Sequence, residues 1–292
     1  MGVIQEARPL GKTRIGIINR TINMLDFLLA EHAGIYARNG IEPKFDTLAG
    51  KESIDAVVAG RLDFVVSIGA AVRAIMQDGA PVRVALLVHR NAPHWLMASE
   101  RIGKPSDLRG RKVQAAQPGS EPDVMVRKWL AAHGLDPERD VELTYERAHP
   151  GWTEDGPPPQ EDAVIARTLE QEVLEARGFH TLVDLCKEYP NTLVHGLVAT
   201  ERTLKERPEL VAAMVASHRE AAAWIDEGRP EVLDFIAATW RVSRERAARA
   251  VRSLNGKFVA RFDPSDFATV IESSAKALGK PPVAVERLMA VR

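Results

Sequence analysis

The chain has 292 residues, 45% of them apolar, which is enough to bury the cores of two domains of ordinary size. Its 39 basic and 40 acidic side chains leave a net charge of −1, so no long-range field of one sign draws it to nucleic acid or to an anionic membrane. A single cysteine, Cys186, excludes an intrachain disulfide, and no apolar run approaches the roughly 18 residues of a membrane span.

Residues 14–18 form a short apolar run that suits a strand buried on both faces, as in a parallel sheet. The polar turn Asn19-Arg20-Thr21 leads into a helix predicted over 23–38, and Asn39-Gly40 stands just past its end. Residues 41–47 read as a strand, 49–52 as a turn and 53–59 as a helix closed by Gly60. Strand 62–66, helix 70–77 and strand 82–88 continue an alternation that argues for parallel strands with covering helices. His89-Arg90-Asn91-Ala92-Pro93-His94-Trp95 then reads as a crossover. Beyond it, strands are predicted over 95–98, 112–116, 141–145 and 163–166, with helices over 122–133 and 168–177. Residues 148–160, rich in Gly and Pro, can sustain neither element and read as a loop. Residues 193–199 return to the first lobe, and everything after Glu201 reads as helix, with Pro208, Pro230 and Pro264 where a first helical turn tolerates proline. The predicted lobes are 12–94 with 195–292, and 95–194. The first eight residues carry no basic start, apolar stretch and cleavage site, which implies a cytoplasmic chain as written and a periplasmic one if a secretion signal was removed.

The repeated feature is a polar turn between the carboxyl end of a buried strand and the amino end of a helix, where open α/β sheets bind small ligands. Gln117-Pro118-Gly119-Ser120-Glu121-Pro122 is the sharpest example. Gly119 permits close backbone approach, Ser120 supplies a cap or a hydroxyl, and Pro122 suits the first turn, so a carboxylate, sulfonate or phosphate fits there; an ordinary capped turn fits equally. Asn19, Arg20 and Thr21 occupy the equivalent turn of the first lobe, Gly50 and Lys51 the next, and Ser67, Ile68 and Gly69 a third. Arg20 and Lys51 add two positive charges for an acidic ligand, or stand as solvated loop charges. His89 and Arg90 at the crossover are ligand contacts or hinge residues, and the spacing of His89 and His94 suits neither a zinc motif nor a catalytic triad. Trp152 either covers a ligand ring, with Glu154 and Asp155 as a polar rim, or packs on its own lobe. Cys186 reads as a buried structural thiol. With no His-Glu-x-x-His, Walker loop or Gly-x-Gly-x-x-Gly, neither metal nor cofactor is expected, and no nucleophile stands with a base.

The order Gly34-Ile35-Tyr36, Asn39-Gly40-Ile41, Val58-Ala59-Gly60-Arg61-Leu62-Asp63-Phe64, Leu108-Arg109-Gly110-Arg111-Lys112-Val113, Pro118-Gly119-Ser120 and Gly134-Leu135 resembles the nitrate, sulfonate and taurine type of ABC-transporter solute-binding protein. The same superfamily includes thiamine-pyrimidine synthases and an aromatic desulfinase. The resemblance implies a type II periplasmic-binding-protein fold, two α/β lobes with a ligand cleft between them, a helical C-terminal region and closure on ligand. Relatives carry a Gly-x-x-Asp-Ala turn before the strand at 163, where this chain has residues 152–160. Pyrimidine synthases place a Lys and a His where this chain has Ser67 and Ala71, and the desulfinase carries a Cys in the loop that here reads Asn19-Arg20-Thr21. The expectation is a solute-binding protein for a small organic anion, partnered by a membrane permease if exported. The competing readings are a cytoplasmic enzyme on the same scaffold, a lyase, decarboxylase or pyrimidine-synthase-like protein, and a cytoplasmic ligand sensor.

Overall fold

The computed structural model describes residues 9–290 apart from 49, 117, 119, 146–151, 191 and 262, and apart from the side chain of Val194. The chain divides into two units, one of Met1–Arg90 with Leu193–Arg292 and one of Asn91–Thr192. The first stretch alternates strand and helix: β1 (Gly11–Ile17), α1 (Leu25–His32), α2 (Ile35–Arg38), β2 (Ile41–Thr47), α3 (Gly50–Val58), β3 (Phe64–Val65), α4 (Ile68–Asp78) and β4 (Val82–Arg90). The second unit holds β5 (His94–Ser99), β6 (Lys112–Ala115), α5 (Glu121–Ala132), β7 (Glu142–Tyr145), β8 (Ala163–Arg167), α6 (Gln171–Glu175), β9 (Phe179–Asp184) and α7 (Leu185–Glu188). The chain returns to the first through β10 (Leu193–Thr200), α8 (Glu201–Glu206), α9 (Pro208–Asp226), α10 (Pro230–Trp240), α11 (Arg244–Leu254), β11 (Phe258–Arg261) and α12 (Ala268–Leu278). Among the described residues no helix is long and apolar enough to cross a membrane.

Several elements differ from the sequence reading, each for a local reason. The helix expected over 23–38 is a 3-10 turn, Ile22–Met24, followed by α1 and α2, because Gly34 adopts φ +67° and breaks the run. The expected turn at 49–52 is the start of α3, where the Ser53 hydroxyl donates to the Gly50 carbonyl at 2.7 Å. β4 continues through His89 and Arg90, so these two residues lie in a strand and not in a crossover loop. The all-helical reading after Glu201 is corrected by β11, which pairs with β4 at Phe258↔His89 once Gly256, at φ +68°, has ended α11. β9 was not expected either; it is the partly exposed edge of its sheet and lacks the continuous apolar run of a central strand.

In the first unit the strand order is β11-β4-β10-β3-β1-β2. β1 runs parallel to β2 and β3, while β10 runs antiparallel to β3 and β4. The carboxyl ends of β1, β2, β3 and β4 therefore share one edge, and β10 begins there. One core cluster joins Val65, Val84, Leu87 and Val198 of the sheet to Ile68, Val72 and Ile75 of α4 and to Val270 and Ile271 of α12. The second unit has the order β7-β6-β8-β5-β9. There β6 is parallel to β7 and β8, and β5 is antiparallel to β8 and β9, so four carboxyl ends again share an edge, at which β5 starts. Alternate residues of β8 serve separate cores: Ala163 and Ile165 pack with Met125, Trp129 and Leu130 of α5, and Val164 and Ala166 pack with Met97 and Trp152.

β10 approaches its neighbours closely at Gly196. Its amide donates to the Val66 carbonyl at 3.1 Å, and a Cβ added here would stand 2.2 Å from the Leu86 carbonyl oxygen and 3.0 Å from Ile68 Cδ1. Backbone cannot withdraw as a flexible side chain can. Gly196→Ala is expected to destabilise the chain by at least the ~1–3 kcal/mol of an overpacked core, read as a lower urea midpoint.

Candidate functional site

The turn after β1 is built by its own side chains. Asn19 Oδ1 accepts from the Thr21 amide at 3.1 Å and from the Thr21 hydroxyl at 2.8 Å, a bond pattern by which Asn substitutes for a backbone turn. Thr21 is buried, and its carbonyl accepts the Met24 amide at 2.9 Å to close the 3-10 turn. Arg20 is exposed between them. Its guanidinium lies 5.9 Å from the centre of the Phe45 ring, and it has no carboxylate partner among the described residues.

Ser67 and the start of α4 lie beside this turn. β1 and β3 pair at Gly16↔Val65, and continuing that parallel register sets residue 18 beside residue 67. Ser67 is the residue before α4 and is buried, yet its hydroxyl accepts no bond from the helix. Ile68 gives its side chain to the core, and Gly69 is half-buried, so what these two positions offer a ligand is amides. The first N–H groups of a helix have no intrahelical acceptor, and the first turn of α4 carries no acidic side chain to meet them.

The other expected contacts of this unit are engaged elsewhere. Lys51 sits in the first turn of α3 with its amine 2.8 Å from both oxygens of Asp55, and it is 77% exposed, so it is a solvated pair of the helix surface and not a second cation at the turn. Gly50, at φ +58°, has open space where a Cβ would go. Arg90 donates to Asp266 Oδ1 at 2.9 Å. His89 is fully buried; its Nδ1 donates to the Asn23 carbonyl at 3.2 Å and its ring stacks on Phe258.

In the second unit, Gln117 and Gly119 lie outside the described residues. Ser120 is the residue before α5, and its hydroxyl makes no hydrogen bond among the described residues. Glu121 and Asp123 stand in the first turn of α5, and Asp123 is paired with Arg127 at 3.0 Å. Trp152 packs on its own unit. It is buried against Met97, Val164 and Leu174, and its indole N–H donates to the Ile165 carbonyl at 3.2 Å. The chain that follows it is held by Arg177, which donates to the carbonyls of Thr153, Glu154, Gly156 and Pro157. Cys186 is half-buried and donates to the Ala92 carbonyl at 2.6 Å.

A sequence profile of the NMT1/THI5-like family matches residues 21–228, well over half of the chain. The chain belongs to this family. Comparison with curated proteins by sequence returned no match. Among solved structures, the alkanesulfonate-binding protein SsuA from Xanthomonas axonopodis pv. citri, bound to MOPS, is similar with a TM-score of 0.72 at 16% identity over 97% of this chain and 98% of that one. The periplasmic aliphatic sulphonate binding protein SsuA from Escherichia coli gives 0.71 at 16% identity, covering 96% and 97%. The periplasmic nitrate-binding protein NrtA from Synechocystis PCC 6803 gives 0.62 at 16% identity, covering 82% and 69%. The fold is that of the type II periplasmic-binding proteins.

This NMT1/THI5-like chain has Ser67 and Ala71 where the resemblance to pyrimidine synthases places Lys and His. Ala71 is fully buried in the first turn of α4, and neither residue supplies an amine or an imidazole. It also contains a buried polar cluster that the sequence reading missed. Asp26 of α1 is fully buried; it accepts from His218 Nδ1 of α9 at 2.6 Å and from His195 Nε2 of β10 at 3.4 Å. Tyr36 Oη lies 3.0 Å from His218 Nε2. Burial raises the pKa of Asp26, but the hydrogen bonds and charges of His195 and His218 outweigh it and hold the carboxyl below its usual range. Burial and the charge of Asp26 push the Tyr36 phenol well up, so it stays protonated. In the second unit, burial and the neighbouring Arg167 push His94 down to about 3, and its Nδ1 donates to the Ala92 carbonyl at 2.8 Å. Among the described residues no group of three His, Cys, Asp or Glu side chains is placed to hold a metal ion.

These shifts set two pH windows. The folded state favours ionised Asp26, so its contribution to stability is complete above the unfolded carboxylate value of about 3.9 and is lost as pH falls below it. Asp26→Asn is expected to cost ~3–5 kcal/mol at neutral pH, the range for breaking a buried ion pair, and to flatten the acid limb of urea midpoints measured against pH. The folded state favours neutral His94, so stability is lost as pH falls from about 6.5 in the unfolded chain towards about 3. His94→Gln is expected to remove that slope while leaving the Asp26 limb in place.

Proposed function

We propose that the chain is a solute-binding protein that takes a small organic anion, a sulfonate or carboxylate, and presents it to the permease of an ABC transporter. The observation that carries this reading is the juxtaposition of Arg20, which has no carboxylate partner among the described residues, with the amino end of α4, after adjacent strands at one sheet edge. A helix amino end favours a nearby anion by ~0.3–1 kcal/mol, and a charge-assisted hydrogen bond from Arg20 adds ~1.5–3 kcal/mol. The Ser67 hydroxyl and the Asn19-Thr21 pair give the edge its orienting groups. The first turn of α4 holds no acidic side chain, whereas that of α5 carries Glu121 and Asp123. The sulfonate- and nitrate-binding proteins of the same fold support the choice of a small anion, and a similar structure from Methylobacillus flagellatus, named as the periplasmic sulfonate-binding protein of a sulfonate ABC transporter, supports the transport half of the proposal.

The test is calorimetry with alkanesulfonates, aromatic carboxylates and nitrate, followed by mass analysis of the recovered ligand. At least one anion is expected to bind and to return unchanged; conversion to product would replace binding with catalysis. Arg20→Ala is expected to weaken that anion by ~10–100-fold, the equivalent of one charge-assisted bond, while Lys51→Ala leaves it within about twofold.

A further inference from the structure

The turn that carries Arg20 holds itself together from within, but its place on the sheet edge depends on where the 3-10 turn behind it is fastened. Hydrogen bonds run along this stretch: Thr21 to Asn19 Oδ1, then Met24 to the Thr21 carbonyl. The next bond leaves the segment. The Asn23 carbonyl accepts from His89 Nδ1 at 3.2 Å, and because a carbonyl only accepts, His89 carries its proton on that nitrogen. His89 lies 66 residues away on β4, and both residues are buried.

His89 is itself held in place. Its ring stacks on Phe258 of β11, with centroids 4.1 Å apart and planes at 22°, and meets His195 edge to face at 5.1 Å. His195 is bonded to Asp26, which lies in the first turn of α1, just past the same 3-10 turn. The donor that fastens Asn23 thus stands between two rings and cannot swing away with it.

We propose that His89 is a positioning residue: by fastening the Asn23 carbonyl it sets where the Asn19-Arg20-Thr21 turn stands, and with it the Arg20 guanidinium. The ligand half of this inference rests on the reading of Arg20 as the cation that meets the anion; the fastening of the turn does not.

Two substitutions separate the bond from the packing. His89→Phe keeps a ring against Phe258 and removes the donor. His89→Asn places an amide nitrogen near the former Nδ1 and removes the ring. In the ligand-free full chain, the melting temperature is measured with the amide exchange of Met24, using the Ala71 amide of α4, bonded to Ser67, as reference. His89→Phe is expected to melt near the wild type with Met24 exchanging ~10-fold faster relative to Ala71, the scale of one lost buried hydrogen bond. His89→Asn is expected to melt lower with the wild-type Met24-to-Ala71 ratio. A wild-type ratio in His89→Phe, or ratios that simply follow melting temperature in both variants, overturns the proposal. Should His89→Phe not fold, His89→Leu set against His89→Asn makes the same comparison. The second arm titrates hexanesulfonate, benzoate and nitrate. If the wild type binds none of them, the solute-binding reading falls and the exchange ratio still decides the fastening. If one binds, His89→Phe weakens it ~10-fold and His89→Asn less than about threefold, whereas equal losses sink the inference.

Discussion

The first unit is organised around a carboxylate that has no access to water. Asp26 receives His195 from β10 and His218 from α9, and Tyr36 of α2 closes the far side of His218, so two elements near the start of the chain and two from its later part are tied to one buried charge. Such a group gains little net stability over an apolar replacement, but each missing partner leaves an uncompensated charge in the core. That asymmetry makes the arrangement specific. α1, α9 and β10 reach their bonding positions together, and the sheet edge that starts at β10 is fixed with them.

Physical chemistry separates the amino end of α4, in the first unit, from that of α5, in the second, although the sequence makes them look alike. A serine stands just before each of α4 and α5, with a glycine close by, and both turns were read as ligand contacts. α4 begins beside Arg20 with no acidic side chain in its first turn, whereas the first turn of α5 already carries Glu121 and Asp123, which complement its dipole. Lys51, equally cationic in composition, is satisfied by Asp55 one helical turn on. Charge counted along the chain thus misleads where charge already paired in space does not.

Much of the architecture was legible in the sequence because it rests on local signals. The strand expected at 41–47 coincides with β2, and the proline positions at 208 and 230 begin α9 and α10. What escaped was of two kinds. β9 and β11 are edge strands, and β11 is fixed by the stacking of Phe258 on His89, a contact across 169 residues. Asp26 and His218 are 192 residues apart, and no periodicity links them. A signal did exist: Leu210, Met214, Ala221 and Ile225 mark a buried stripe on α9 that passes through His218, and Asp26 interrupts an apolar run from Leu25 to Ala30. A polar residue inside such a stripe points to an equally buried partner. The sequence places the turns at Asn19, Ser67 and Ser120 correctly, but which of their neighbours remain available to a ligand depends on pairings such as those of Arg90 with Asp266 and Trp152 with Ile165.

The segment after Trp152 has a different character. Arg177 holds it by four backbone carbonyls, and none of those contacts depends on which side chains the segment carries. Its path is therefore set by the arginine and the anchoring indole, and Gly156, where a Cβ would stand 2.8 Å from Thr153 Oγ1, is the position in it with least room for another side chain. A stretch built in this way is a natural place for a scaffold to acquire new surface chemistry without having to be refolded.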